Sequence, residues 1–115
     1  MAELLPFDVL YDKFEYPRDF VRIVELELTN LEPWWIVGGK ILHDRFVGLQ
    51  ARYVSRKLVP FAVRQDNDDV ACWDVDTGGI SVVHDFASAG FEQRDRYPNF
   101  AAWFRRAVDD CLAFD

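Results

Sequence analysis

The chain has 115 residues, half of them hydrophobic and 16% aromatic, with a formal net charge of −7. That length holds one core and no second domain, and the composition excludes a disordered chain. No apolar run approaches the ~20 residues that span a bilayer, and the overall acidity disfavours nucleic acid, because a polyanion would be repelled.

The opening segment has acids early and no basic stretch ahead of an apolar block, so no secretory leader is expected. Cys72 and Cys111 stand in apolar segments without ligand-like spacing. They read as buried free thiols of a protein kept in a reducing, cytoplasmic compartment.

Over residues 3–14, Leu4, Phe7, Tyr11 and Phe14 recur with helical spacing, and Pro6 forces any helix to begin near it. Pro17 suits the first position of a second helix, with Arg18 and Asp19 in its first turn. From 20 to 31 two periods compete. Phe20, Val24, Leu28 and Leu31 fit a helix, whereas residues 24–28 alternate as a strand does. Helix is expected for the first half, and the end stays open. Pro33 precedes a short strand over 34–37, closed by Gly38 and Gly39.

Leu42, Phe46, Leu49 and Tyr53 then mark one face of a helix over 40–55, bordered by Arg45, Arg52 and Arg56. Gly48 weakens that helix by ~1 kcal/mol relative to alanine. Residues 58–63, 70–75 and 80–86 read as three strands, the last two joined by a turn containing Gly78 and Gly79. A C-terminal helix follows Pro98, capped by Asn99. Its apolar stripe is Phe100, Trp103, Phe104, Ala107, Val108, Cys111 and Leu112, and Arg105, Arg106, Asp109 and Asp110 are expected to face away. The fold expected is α+β: a single domain with a mainly antiparallel sheet, helices packed on one face and at the ends, and a long amphipathic C-terminal helix.

Charge is unevenly spread. Residues 1–39 carry −5, residues 40–64 carry +5, residues 65–85 carry −6 and the remainder −1. Asp66, Asp68, Asp69, Asp74 and Asp76 place five carboxylates within eleven residues and no base among them. A solvated turn, with Asp and Asn67 bonding to the local backbone, explains one or two of these. A calcium loop needs a glycine at its sixth position and a glutamate at its twelfth, which this stretch lacks. Like charges gathered together destabilise their own fold, so the cluster reads as an interaction surface for a cationic protein partner.

Trp34 and Trp35 are adjacent, so on a strand one ring enters the core and the other faces outward, where tryptophan favours interfaces. His84 and Asp85 sit on opposite sides of a strand and do not converge on one site. The scattered histidines and cysteines make no zinc site. The arginine stripe reads as a solvated helix face paired with the acidic segments. Gly38-Gly39-Lys40 ahead of a helix is a weak phosphate signal, and no nucleophile, P-loop or dinucleotide motif occurs. No catalytic residue, cofactor or metal is therefore nominated. The candidate partner-binding residues are Asp66, Asn67, Asp68, Asp69, Asp74, Asp76, Trp34 and Trp35.

The runs PWWI, LVPFAVRQDNDDVACWDV, VVHDFASAGFE and YPNFAAWFRRAVDD resemble one subgroup of the SUKH superfamily, the cell-wall-assembly-regulator-like proteins, over residues 33–110. This resemblance implies an α+β fold and no shared catalytic set. It also implies a bacterial immunity protein that neutralises a polymorphic or contact-dependent toxin, often a nuclease. The alternative it implies is a regulatory or scaffolding module that binds a host protein.

Overall fold

The computed structural model describes residues 3–6 and 9–114. Three helices and six strands follow in the order α1 (Arg18–Glu25), β1 (Asn30–Leu31), β2 (Trp34–Ile36), α2 (Gly39–Arg52), β3 (Leu58–Arg64), β4 (Asp69–Asp74), β5 (Ile80–His84), β6 (Gln93–Tyr97) and α3 (Phe100–Ala113). The strands form one antiparallel meander in which each pairs with its neighbour in the chain. The α+β class, the antiparallel sheet and the C-terminal helix are as the sequence leads one to expect.

Strand parity divides the core in two. Val59, Ala71, Trp73, Ile80 and Val82 share one face with Trp34 and Ile36; Leu58, Val63, Val70, Cys72 and Val83 lie on the other. A register shift between Pro60 and Ala62 lets Ala62 share the first face with Phe61, whose ring meets Trp73, Phe100 and Trp103. The same bulge accommodates a proline inside a strand paired on both sides. Helices α1 and α3 cover this face through Phe20, Val24, Phe100, Trp103 and Ala107. Helix α2 reaches both clusters: its Leu42 and Phe46 belong to the first, while its Leu49 and, just past its end, Tyr53 cover Val70, Cys72 and Val83 on the other. Helices thus lie on both faces.

Several local expectations change. No α-helix forms among the described residues of 3–14; Val9 N–H donates to the Pro6 carbonyl, Phe14 N–H to that of Tyr11, and Lys13 takes φ +70°. The expectation for Phe7 lies outside the described residues. The alternating stretch after Val24 is not a strand. Glu27 adopts φ +58°, while Glu27 and Leu28 donate back to the carbonyls of Val24 and Ile23, which closes α1 with paired C-terminal bonds. Both β1 and β6 were illegible in the sequence: β1 has two residues, and β6 reads Gln-Arg-Asp-Arg-Tyr, a charged edge strand without apolar alternation.

The C-terminal helix starts as expected, with Asn99 Oδ1 accepting from Ala102 N–H at 2.9 Å. Its stripe fails at the end, where Leu112 is 81% exposed. Asp110 turns inward, contrary to expectation, because Trp34 Nε1–H and the Arg64 and Arg106 guanidiniums converge on it. Both cysteines are free; Cys72 is buried, which pushes its thiol pKa well up, while Cys111 is only half-buried. Among the described residues no helix is long and apolar enough to cross a membrane.

Trp103 is 1% exposed and contacts Trp34, Phe61 and Phe100. Trp103→Ala should therefore cost about 3–5 kcal/mol of stability, read from the midpoint of urea unfolding at an unchanged slope.

Candidate functional site

The five clustered aspartates do not form one rim. Asp66, Asp68 and Asp69 lie at the β3–β4 hairpin, whereas Asp74 and Asp76 lie at the turn beyond the other end of β4. Five residue steps of strand, ~17 Å, separate Asp69 from Asp74. Most of this acid is also compensated. Asp66 accepts two bonds from Arg64, at 2.8 and 2.9 Å, and that fork holds its carboxyl pKa below the usual aspartate value. Asn67 Oδ1 accepts from Asp69 N–H at 2.7 Å, a local turn. Asp69 meets His84 Nδ1 at 2.9 Å and Arg94 at 3.6 Å. Asp74 is buried, pairs with Arg56 and accepts the N–H groups of Asp76 and Thr77. Only Asp68 and Asp76 are exposed with no ion pair among the described residues, and they stand at opposite ends of the sheet.

The tryptophans divide as strand parity demands. Trp34 is buried, donates to Asp110 Oδ2 at 3.2 Å and meets Trp103 edge to face. Trp35 is 44% exposed and sits beside Val63 on the α2 face. The polar cleft between the sheet and α3 is lined by Arg64, Asp69, Arg94, Asp95, Arg106 and Asp110, and measures about 140 Å³. That is below the ~300 Å³ at which small-molecule sites begin. Tyr97 Oη–H donates to Asp95 there, and burial together with that bond pushes its phenol pKa up to about 12. Among the described residues His84 makes no side-chain hydrogen bond to a serine, threonine or cysteine, and no group of three metal-ligating side chains forms. Gly39 N–H donates to the Glu3 carbonyl and Lys40 pairs with Asp44, so both donors of the Gly-Gly-Lys turn have partners, although the turn lines an open cavity of about 300 Å³.

The feature that sequence reasoning missed is the β5–β6 loop, residues 85–92. Asp85 is fully buried, and its oxygens take Arg45 Nη1 at 2.8 Å and Arg52 Nε and Nη2 at 2.8 and 2.7 Å. Its backbone N–H donates to the Asp68 carbonyl, and its own Oδ1 accepts from Phe86 N–H. At the far end, Glu92 takes Arg56 at 2.9 Å and Gly90 N–H at 2.7 Å. Between them Tyr53 Oη–H donates to the Ala87 carbonyl at 2.7 Å. Arg45 and Arg52 of α2, with Tyr53 and Arg56 just beyond its end, thus fasten both ends and the middle of the loop. The arginines pair with acidic residues as expected, but they are not a solvated helix face: their side chains are 17–30% exposed, and Arg56 lies beyond the helix.

This bracing carries Phe86 and Phe91 outward, 61% and 82% exposed. Phe86 has φ +70°, a region that costs a bulky side chain roughly 1–2 kcal/mol. The positive φ ends β5 at His84, short of the expected 86. Arg52 lies 4.2 Å from the Phe86 ring centre and Arg45 lies 5.6 Å from it. Gly48 permits this arrangement, since a Cβ there would come within 2.5 Å of Arg52 Nη2. The available sequence signal was two phenylalanines in a stretch otherwise made of Ala, Ser and Gly, where nothing local buries them.

Scans against protein-family models, curated proteins and solved structures return no match to this chain.

Two predictions concern the braces. Asp85→Asn leaves two guanidiniums without their anion; it should cost about 2–3 kcal/mol, low for a buried pair because both arginines keep some solvent. Amide exchange at 86–91 should quicken at the same time. For Glu92, burial pushes the pKa up, but its own backbone N–H, Arg56 and Gly90 N–H outweigh this and hold it below the usual glutamate value. A depressed folded value stabilises above the unfolded value of ~4.3 and is lost as pH falls through the folded one. The Glu92 carboxyl should titrate below ~4.3 by carbon-detected NMR, and Glu92→Gln should flatten the loss of stability in that acid window.

Proposed function

We propose that this chain is a non-enzymatic protein-binding domain that docks through the β5–β6 loop and, on its sequence resemblance, a bacterial immunity protein that masks a toxin. The observation that carries the reading is the pairing of two exposed phenylalanines with a loop fastened by buried charge. Ordering an unbraced loop costs about 1–2 kcal/mol per residue. Here folding meets that cost in advance, so a partner's contact with Phe86 and Phe91 is not offset by it. Large aromatic anchors on preorganised backbone are the usual centre of a binding surface.

The cationic partner expected from the sequence is not carried into this reading. It depended on a free acidic rim, and most of those carboxylates have partners inside the molecule. Trp35 stands apart from the loop, since the row from Trp35 through Val63, Val70 and Val83 to Gln93 crosses four strand spacings, ~19 Å.

The test is co-expression with the product of the neighbouring gene, under conditions in which that product alone arrests growth. The wild-type chain should restore growth. Phe86→Ala with Phe91→Ala should abolish rescue and weaken binding by at least about 30-fold, taking ~2 kcal/mol for even one anchor, with the circular dichroism spectrum unchanged. Full rescue by the double variant would remove the loop from the interface. Absence of any rescue by the wild-type chain would remove the immunity reading and favour a regulatory module.

A further inference from the structure

We infer that the surface around Phe86 and Phe91 takes an acidic protein segment, one that presents an apolar side chain flanked by carboxylates; this rests on the loop being the docking site. Acids and bases around the loop lie at different depths. The carboxylates of Asp85, Glu92 and Asp74 are 0%, 8% and 10% exposed, whereas the side chains of Arg45, Arg52 and Arg56 are 24%, 30% and 17% exposed. Negative charge lies underneath, and the arginine side chains form the outer layer. A partner approaching Phe86 therefore meets donors first.

Those donors are not all in use. Among the described residues Arg45 engages only Nη1, and Arg52 only Nε and Nη2. Nε and Nη2 of Arg45 and Nη1 of Arg52 remain unengaged beside the exposed ring. Arg56 likewise keeps Nε, its Nη atoms being held by Asp74, Glu92 and Gln93. Pairing with Ser81 places the exposed Arg96 on this same α2 face, and it forms no ion pair among the described residues. The loop's only acids, Asp85 and Glu92, are both buried. Planar forks next to an exposed apolar ring match a carboxylate beside an apolar side chain, because a guanidinium grips a carboxylate by two parallel bonds. A basic partner segment would face these forks with like charge, and the exposed Asp68, whose carbonyl accepts from Asp85 N–H, is the acid it would meet beside the loop. An acidic segment and a nucleic acid are both anionic, but a nucleic acid carries a charge at every residue and is repelled more strongly by the net charge of −7 than a segment with one or two carboxylates.

The experiment is selection of displayed peptides on the wild-type chain, with counter-selection on the folded Phe86→Ala/Phe91→Ala variant. Winning sequences should carry Asp or Glu beside Leu, Phe or Trp. As synthetic peptides they should bind roughly threefold more weakly to Arg96→Gln and lose affinity again between about 50 and 200 mM salt. Arg96 holds no internal partner, so its replacement tests charge without unfolding the brace. Basic winners that still require Phe86 and Phe91 would overturn the acidic partner but leave the docking loop standing. No peptide that distinguishes wild type from the double variant would overturn both. Binding of an oligothymidine, or a concentration-dependent dimer, lost in the double variant would assign the surface to nucleic acid or to a second copy and overturn the inference.

Discussion

Asp85 between Arg45 and Arg52 is the interaction on which the arrangement of this molecule depends. A carboxylate with no solvent exposure is costly by several kcal/mol unless charge and hydrogen bonds surround it. Here it receives two guanidiniums from α2 and a backbone N–H from Phe86. The geometry admits little slack. If α2 slid along the sheet by one turn, ~5.4 Å, both guanidiniums would leave the anion. One buried charge therefore sets how α2 lies on its face, where β5 ends and how the following loop departs.

The consequences spread through contacts that look unrelated along the chain. Gly48 sits mid-helix at a propensity cost of ~1 kcal/mol, and the space it leaves lets Arg52 lie flat between the helix backbone and Phe86. Phe86 takes a left-handed backbone angle and remains on the surface. Glu92 and Arg56 repeat the device at the other end of the loop. Strain, a helix-weakening glycine and desolvated charge all converge on one loop, and each opposes stability taken alone. Natural chains concentrate such departures at places with a use beyond folding.

The acidic segment shows how charge counted along a sequence misleads. Five aspartates close in sequence are divided by a strand, because extended backbone carries each step by ~3.4 Å and sends alternate side chains to opposite faces. Arg64 and His84 then approach from β3 and β5, and Arg56 from the connection between α2 and β3. Around Phe86 the paired side chains nearest solvent are arginines, although the whole chain is acidic.

Much of the fold was legible in the sequence for local reasons. The periods of Leu42, Phe46, Leu49 and Tyr53 and of Phe100, Trp103 and Ala107 determined two helices, and apolar runs determined β3, β4 and β5, because burial must repeat with the backbone's own period. The cap at Asn99 and the one-in, one-out pair Trp34 and Trp35 followed from the same rule. Tertiary structure alone decided β6, whose charged residues carry no apolar period, and the inward turn of Asp110 toward Trp34. It alone decided which arginine met which acid, since Arg45 and Asp85 are 40 residues apart. Periodicity records how a segment meets its own core, whereas the partner of a charge depends on distances between segments that no window of sequence contains.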